Sequence, residues 1–202
     1  GLDFNSRAKA VFNNHFEKTQ EEIAKDPKVD FILWPENSVD VDPFLNTDVN
    51  ASLNSIQQPL IIGAILNKGS SRYNTSILWG GELPNTYIKQ HLTPFGEYIP
   101  LRSLARIISP LVDEVEDFSP GDGGKTFSIG EIKVAPVICY ELIDDDLLRQ
   151  ALGHALRDDA RDQIGRAAGR KRRDQAHGFY GVVLCMRRRC AQRERKRNGS
   201  RA

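Results

Sequence analysis

A break in composition near residue 150 constrains the fold of this 202-residue chain more than any motif in it. Residues 1–150 carry 13 Lys+Arg against 22 Asp+Glu, a balance of −9, whereas residues 151–202 carry 15 against 5, a balance of +10. The formal net charge of +1 is therefore a cancellation between two chemically different segments. All ten prolines and fourteen of the sixteen aromatic residues lie in the first segment. In the second, 27 of 52 residues are Arg, Ala or Gly and only 7 are Leu, Ile, Val or Phe. So few large apolar side chains cannot offset the entropy of ordering that stretch. Residues 1–150 are expected to form the folded domain, long enough to bury a sizeable core, and residues 151–202 a basic, disordered tail.

Within the first segment, Asn5 and Ser6 can cap a helix whose inner positions Ala8, Phe12, Phe16, Thr19 and Ile23 recur every three or four residues. It is expected to end near Asp26-Pro27. A short strand, Val29–Trp34, follows and is stopped by Pro35; residues 37–58 are polar and irregular, and Pro59–Leu66 reads as a buried strand. Two hairpins are expected. The first joins Tyr73–Trp79 to Asn85–Lys89 across Gly80–Pro84, and the second joins Lys125–Ile129 to Ile132–Ile138 across Gly130-Glu131. Between them lie an amphipathic helix, Leu101 to Val112, and a loop, Ser119–Gly124. Helices and strands mixed in this order specify a layered α/β domain.

Three cysteines, Cys139, Cys185 and Cys190, are too few and too unevenly placed for a disulfide framework. Cys185 and Cys190 with His177 lack the second pair a metal site needs. No apolar run approaches the roughly 18 residues that span a bilayer. With no initiating Met and no leader, the chain is expected to begin inside something larger or to have been processed. No phosphate-cradling glycine loop is present, so no cofactor and no metal is implied.

Strand-like segments end in Glu36, Lys89 and Cys139, three reactive side chains of different kinds, and strand ends are where α/β folds converge their sites. A thiol beside a carboxylate base and a lysine cation is a usable nucleophile. By base rate, a cysteine following a strand is a small buried hydrophobe. His91 invites a Cys–His dyad but is expected to be structural, and Trp34, Phe95 and Tyr98 to be core or pocket wall.

The words around these residues are Trp34-Pro35-Glu36-Asn37, Lys89-Gln-His-Leu-Thr-Pro-Phe-Gly-Glu-Tyr-Ile-Pro100 and Val137-Ile-Cys-Tyr-Glu141. In order and spacing they resemble the carbon–nitrogen hydrolase (nitrilase) superfamily, and within it the bacterial apolipoprotein N-acyltransferases. The resemblance covers roughly residues 1–149. It implies a nitrilase-like α-β-β-α sandwich, with Glu36 as base, Lys89 as the cation facing the developing oxyanion and Cys139 as nucleophile. Glu97 and Glu141 would line the same site, Glu97 orienting Lys89, and Tyr140 would flank the thiol. The implied reaction moves a fatty acyl chain from a membrane phospholipid to Cys139 as a thioester, then to the N-terminal cysteine amine of a diacylglyceryl-modified apolipoprotein. The implied location is the cell membrane, with the catalytic domain on its extracytoplasmic face.

The chain departs from that pattern in three ways. Flanking transmembrane helices are missing, the first strand would precede Gly1, and similarity stops near Arg149-Gln150. The sandwich is thus expected to be incomplete at both ends, and the chain not to turn over as it stands. The Arg-, Ala- and Gly-rich continuation suggests a reading-frame shift or foreign junction near residue 150, with a genuine basic appendage as the rival. Two other function classes remain: a soluble amidase or nitrilase with the same triad, and a protein whose basic tail, including Arg187-Arg188-Arg189 and Arg193–Arg197, grips nucleic acid or anionic lipid. Aromatic interleaving there is limited to Phe179 and Tyr180, and no specific nucleic acid is expected.

Overall fold

A computed structural model describes residues 4–80, 85–103, 106, 116–164, 175–179 and 183–187. The chain opens with helix α1 (Phe4–Lys25), so Asn5 and Ser6, expected as caps, lie inside its first turn. Its inner face buries Phe12 and packs Phe16 and Ile23 against the core. Thr19 belongs on that face because its hydroxyl accepts the indole N–H of Trp34 at 2.8 Å. Strand β1 is short (Ile32–Leu33), because Pro35 ends the ladder just after Trp34 N donates to Ile61 O at 2.8 Å. Residues 37–58, polar and irregular in sequence, contain the short helix α2 (Thr47–Asn54), whose cap is Asn46: its Oδ1 accepts from Val49 N at 3.1 Å.

Strands β2 (Leu60–Lys68), β3 (Ser71–Trp79) and β4 (Asn85–Ile88) follow. They complete a four-stranded sheet in the order β1-β2-β3-β4, with β1 parallel to β2 and the other pairs antiparallel. The β3–β4 pairing realises the first expected hairpin. A longer hairpin, β2–β3, precedes it and turns at Gly69, which takes φ +60. The second expected hairpin is present as β5 (Phe127–Ile129) and β6 (Ile132–Pro136). A 3-10 turn over Cys139–Ile143 leads into helix α3 (Asp145–Ile164), capped by Asp144 Oδ1, which accepts from Asp146 N at 3.0 Å and Leu147 N at 2.9 Å. Strands β7 (Gln175–Phe179) and β8 (Val183–Arg187) then join a second sheet in the order β5-β6-β8-β7. The helix expected over Leu101 to Val112 falls mostly outside the described residues.

Side-chain alternation sorts these strands into layers. On β2 and β3, Leu60, Ile62, Ala64, Leu66, Ile77 and Trp79 face α1 and α2, while Ile61 and Leu78 face the other way. There they meet Phe127, Ile129, Ile132, Val134 and Ile138 from the second sheet. The opposite face of β6 presents Ala135 and Val137 to Leu147 and Ala151 of α3. The domain is therefore mixed α/β, with an apolar cluster between its two sheets and a helix-facing cluster outside each.

The charge boundary at residue 150 is not an element boundary. Helix α3 crosses it with Ala151 buried, and of two strands within 151–202, β8 pairs with β6 and β7 with β8. Of residues 151–202, expected as a disordered tail, the structure describes 151–164 as helix and 175–179 and 183–187 as strand. Ala and Arg are good helix formers, and ladder pairing needs backbone rather than large apolar side chains.

Candidate active site

Each reactive side chain is placed by the end of a strand, and Glu36 and Lys89 also by a backbone contact that only glycine permits. After β1, a turn at Pro35–Ser38 with Asn37 at φ +59 is laced to β2: Val39 N donates to Gly63 O at 3.0 Å and Ser38 Oγ to the same oxygen at 3.1 Å. A Cβ on Gly63 would lie 2.5 Å from Pro35 O and 2.7 Å from Glu36 Cα, so glycine lets Glu36 settle onto the sheet. Lys89 extends β4 by one rung, its N–H donating to Asn74 O at 2.9 Å, while its carbonyl accepts from Gly121 N at 2.9 Å. Gly121 is as constrained, since a Cβ there would lie 2.4 Å from Ile88 O. Cys139 follows β6 with φ +48, a left-handed conformation costly for a side chain with a Cβ, and it is exposed. The buried-hydrophobe reading of that thiol does not fit this geometry.

These three ends meet at one cavity of about 630 Å³, whose lining includes Glu36, Asn74, Lys89, Thr93, Glu97 and Cys139. The Lys89 ammonium, only 1% exposed, lies 2.7 Å from Glu97 Oε2 and 3.2 Å from Glu36 Oε1. Burial pulls the ammonium down, but its bonds to Glu97 and Glu36 outweigh that and hold it above the usual lysine value. Glu97 is pulled the opposite way: burial raises it, and hydrogen bonds from Lys89, Asn74 and the Thr93 backbone bring it below the ordinary carboxylate range. Burial pushes the Cys139 thiol up, and the neighbouring charge of Glu36 and the S–H···carboxylate hydrogen bond to it act in the same direction, against the lowering field of Lys89. These influences together favour the protonated thiol over the thiolate.

Sequence reasoning missed Asn74. Its Nδ2 donates to Glu36 Oε1 at 2.7 Å and to Glu97 Oε1 at 2.6 Å, bridging the two carboxylates. The available signal was the run Asn74-Thr75-Ser76, three polar residues in a row directly before the apolar Ile77-Leu78-Trp79, all buried. Thr93 adds its N–H to Glu97 Oε2 at 2.8 Å and its hydroxyl near Lys89 Nζ at 3.4 Å.

Glu141 and Tyr140 are placed differently from the expectation. Glu141 is fully buried and does not line the cavity. Its Oε1 accepts from Tyr87 Oη at 2.8 Å and Gln90 N at 2.7 Å, and its Oε2 from Ile138 N at 2.7 Å. It thereby ties the segment after Lys89 to the segment before Cys139. Tyr140, beside the thiol in sequence, opens with His91 onto a separate surface hollow. His91 pairs through Nδ1 with Asp144 Oδ2 at 2.6 Å and is absent from the cavity lining, so no Cys–His dyad forms. Among the described residues no group of three or more His, Cys, Asp or Glu side chains is placed to hold a metal ion.

No family model matches the chain. Curated relatives do. The chain is 31% identical over 173 residues to the apolipoprotein N-acyltransferase of Mycolicibacterium smegmatis, covering 75% of this chain and 28% of that protein. It is 32% identical over 157 residues to the protein of that name from Wigglesworthia glossinidia brevipalpis, covering 69% of this chain and 32% of that one. With the protein of that name from Pseudomonas paraeruginosa it shares 35% over 128 residues, covering 57% and 24%. The chain thus spans less than a third of the length of these relatives. Over most of its own length, this chain is a sequence relative of a part of the apolipoprotein N-acyltransferases.

Proposed function

We propose that this chain carries the acyl-transfer site of an apolipoprotein N-acyltransferase, built on the nitrilase-like α-β-β-α sandwich of the carbon–nitrogen hydrolases. The observation that carries the reading is the one cavity that Glu36, Lys89 and Cys139 line together, in which a buried lysine cation sits between Glu36 and Glu97. The names of the relatives support the choice of acyl transfer over amide or nitrile hydrolysis.

The donor is a membrane phospholipid. As Cys139 Sγ bonds to the ester carbonyl carbon, its proton passes to Glu36, and the charge that develops on the carbonyl oxygen is stabilised by Lys89 Nζ. The tetrahedral species collapses by breaking the bond to the lipid oxygen, which takes the proton from Glu36 and leaves as lysophospholipid. A thioester remains on Cys139. The free amine of a lipid-modified N-terminal cysteine on an apolipoprotein then attacks the thioester and gives its proton to Glu36, which returns it to the departing thiolate. Asn74 holds Glu36 and Glu97, the two neighbours of Lys89, in register throughout. Among the described residues no helix is long and apolar enough to cross a membrane; the membrane and the extracytoplasmic location belong to the whole protein of which this site is the centre.

Acylation of the thiol needs only donor and cavity, so the half-reactions can be followed on this chain in single turnover. Once Cys139 is acylated, a diacylglyceryl-cysteine peptide should discharge the thioester by at least tenfold faster than water does. Equal discharge by water and peptide would place the site with the hydrolases instead.

A further inference from the structure

The cavity is divided by charge. At its catalytic end Glu36, Glu97 and Lys89 form a closed hydrogen-bonded cluster with one negative charge in excess. The remaining charged residues in its lining are Arg7, Arg72 and Asp40, with one positive charge in excess. Among the described residues neither arginine makes an ion pair with a carboxylate. Arg72 lies over the Phe118 ring, 5.1 Å from its centroid, and the backbone there is pinned by Ser119 N donating to Arg72 O at 2.7 Å and Phe118 N to Glu97 O at 2.7 Å. Arg72 and Asn74 are two residues apart on β3, hence on one face and about 7 Å apart along the strand. Arg7 comes from the opposite wall, on the same face of α1 as Val11. Asp40 feels both: burial raises its carboxyl, and the fields of Arg72 and Arg7 oppose the rise.

We propose that Arg72, assisted by Arg7, binds the phosphate of the acyl donor and so determines which donors acylate Cys139. This rests on the acyl-transfer reading above. An anion entering this cavity is repelled by the Glu36–Glu97 end and drawn to the arginine end. A glycerophospholipid therefore orients with its phosphate at the guanidinium groups and its ester, a few bonds away, toward the thiol. A guanidinium resting over an aromatic ring can still turn N–H donors to phosphate oxygens, which suits arginine rather than lysine. Asp40 competes for the same cations.

The test compares two donors in the same detergent micelles, a dipalmitoyl phospholipid and the palmitoyl ester of p-nitrophenol, which has no phosphate. The rate of Cys139 acylation is read by mass spectrometry on the full chain. The phospholipid-to-ester rate ratio should fall by about tenfold or more in Arg72→Gln, recover partly in Arg72→Lys, and rise in Asp40→Asn. In the unsubstituted chain, soluble glycerol phosphate should slow acylation by phospholipid and uncharged glycerol should not, a result that needs no variant to fold. Inorganic phosphate competing as well as glycerol phosphate would assign the subsite to the phosphate alone and still support it. A ratio unchanged in Arg72→Gln, or equal inhibition by glycerol and glycerol phosphate, overturns the inference while leaving the acyl-transfer reading standing. No adduct from either donor overturns that reading, and the inference with it.

Discussion

With a single cation 2.7 Å from Glu97 and 3.2 Å from Glu36, removing that charge leaves two half-buried carboxylates facing each other. Lys89→Met should therefore lower stability by about 3 kcal/mol in urea unfolding, and slow Cys139 acylation by roughly a hundredfold or more. The pair also sets a pH window. Glu97 is held below its ordinary value of 4.5, so its contribution is present above that pH and lost as pH falls through the lower folded value. Lys89 is held above 10.5, so its contribution is present below that pH and lost as pH rises through the higher folded value. Thermal melts should accordingly show an acid limb that flattens in Glu97→Gln. For the thiol the sign runs the other way: Glu36 raises Cys139, so Glu36→Gln should shift the pH profile of Cys139 alkylation by iodoacetamide to lower pH. A profile that stays in place would mean that the carboxylate does not act on the thiol.

At the scale of elements, the positions of Glu36 and Lys89 depend on two glycines under the backbone. Gly63→Ala would press a methyl group onto Pro35 O and Glu36 Cα, atoms of backbone that cannot swing away. It should cost about 1–3 kcal/mol and reduce acylation through displaced Glu36; melting temperature and acylation rate measured together check both. Glu141→Gln would turn one carboxylate oxygen, facing either the Tyr87 hydroxyl with the Gln90 and His91 N–H groups or the Ile138 N–H, into an NH2 donor, at a cost of about 2–3 kcal/mol. Much of this was legible in the sequence. Glu36, Lys89 and Cys139 each follow a strand-like segment, so strand ends and reactive residues can be read together. Asn74 was not legible, because its role depends on β2, β3 and β4 bringing it between residues 36 and 97. The β2–β3 hairpin was hidden in a Gly-Ser turn between runs that were read separately. Adjacency in sequence misled for Glu141 and Tyr140: the 3-10 turn after Cys139 sends one inward beneath the site and the other out to a different hollow.

For the whole molecule, the division by charge and the division by structure differ. The basic stretch begins inside α3, which packs on the second sheet through Leu147 and Ala151, yet the residues lining the cavity all lie between Arg7 and Cys139. We propose that residues 151–202 take no part in the chemistry. Deletion of residues 188–202 should leave the rate of Cys139 acylation within about twofold, whereas a larger loss would give that stretch a role at the site. The nucleotide sequence around codon 150 separates a shifted reading frame from a genuine appendage: a one-base shift that restores a strand-rich continuation favours the former. The central claim concerns the thiol itself, and Cys185 and Cys190 serve as internal controls for it. After incubation of the chain with phospholipid, peptide mass spectrometry should find one hydroxylamine-sensitive acyl group on Cys139, absent in Cys139→Ala. Acylation that spares Cys139, or that persists in the Cys139→Ala chain, would contradict the account.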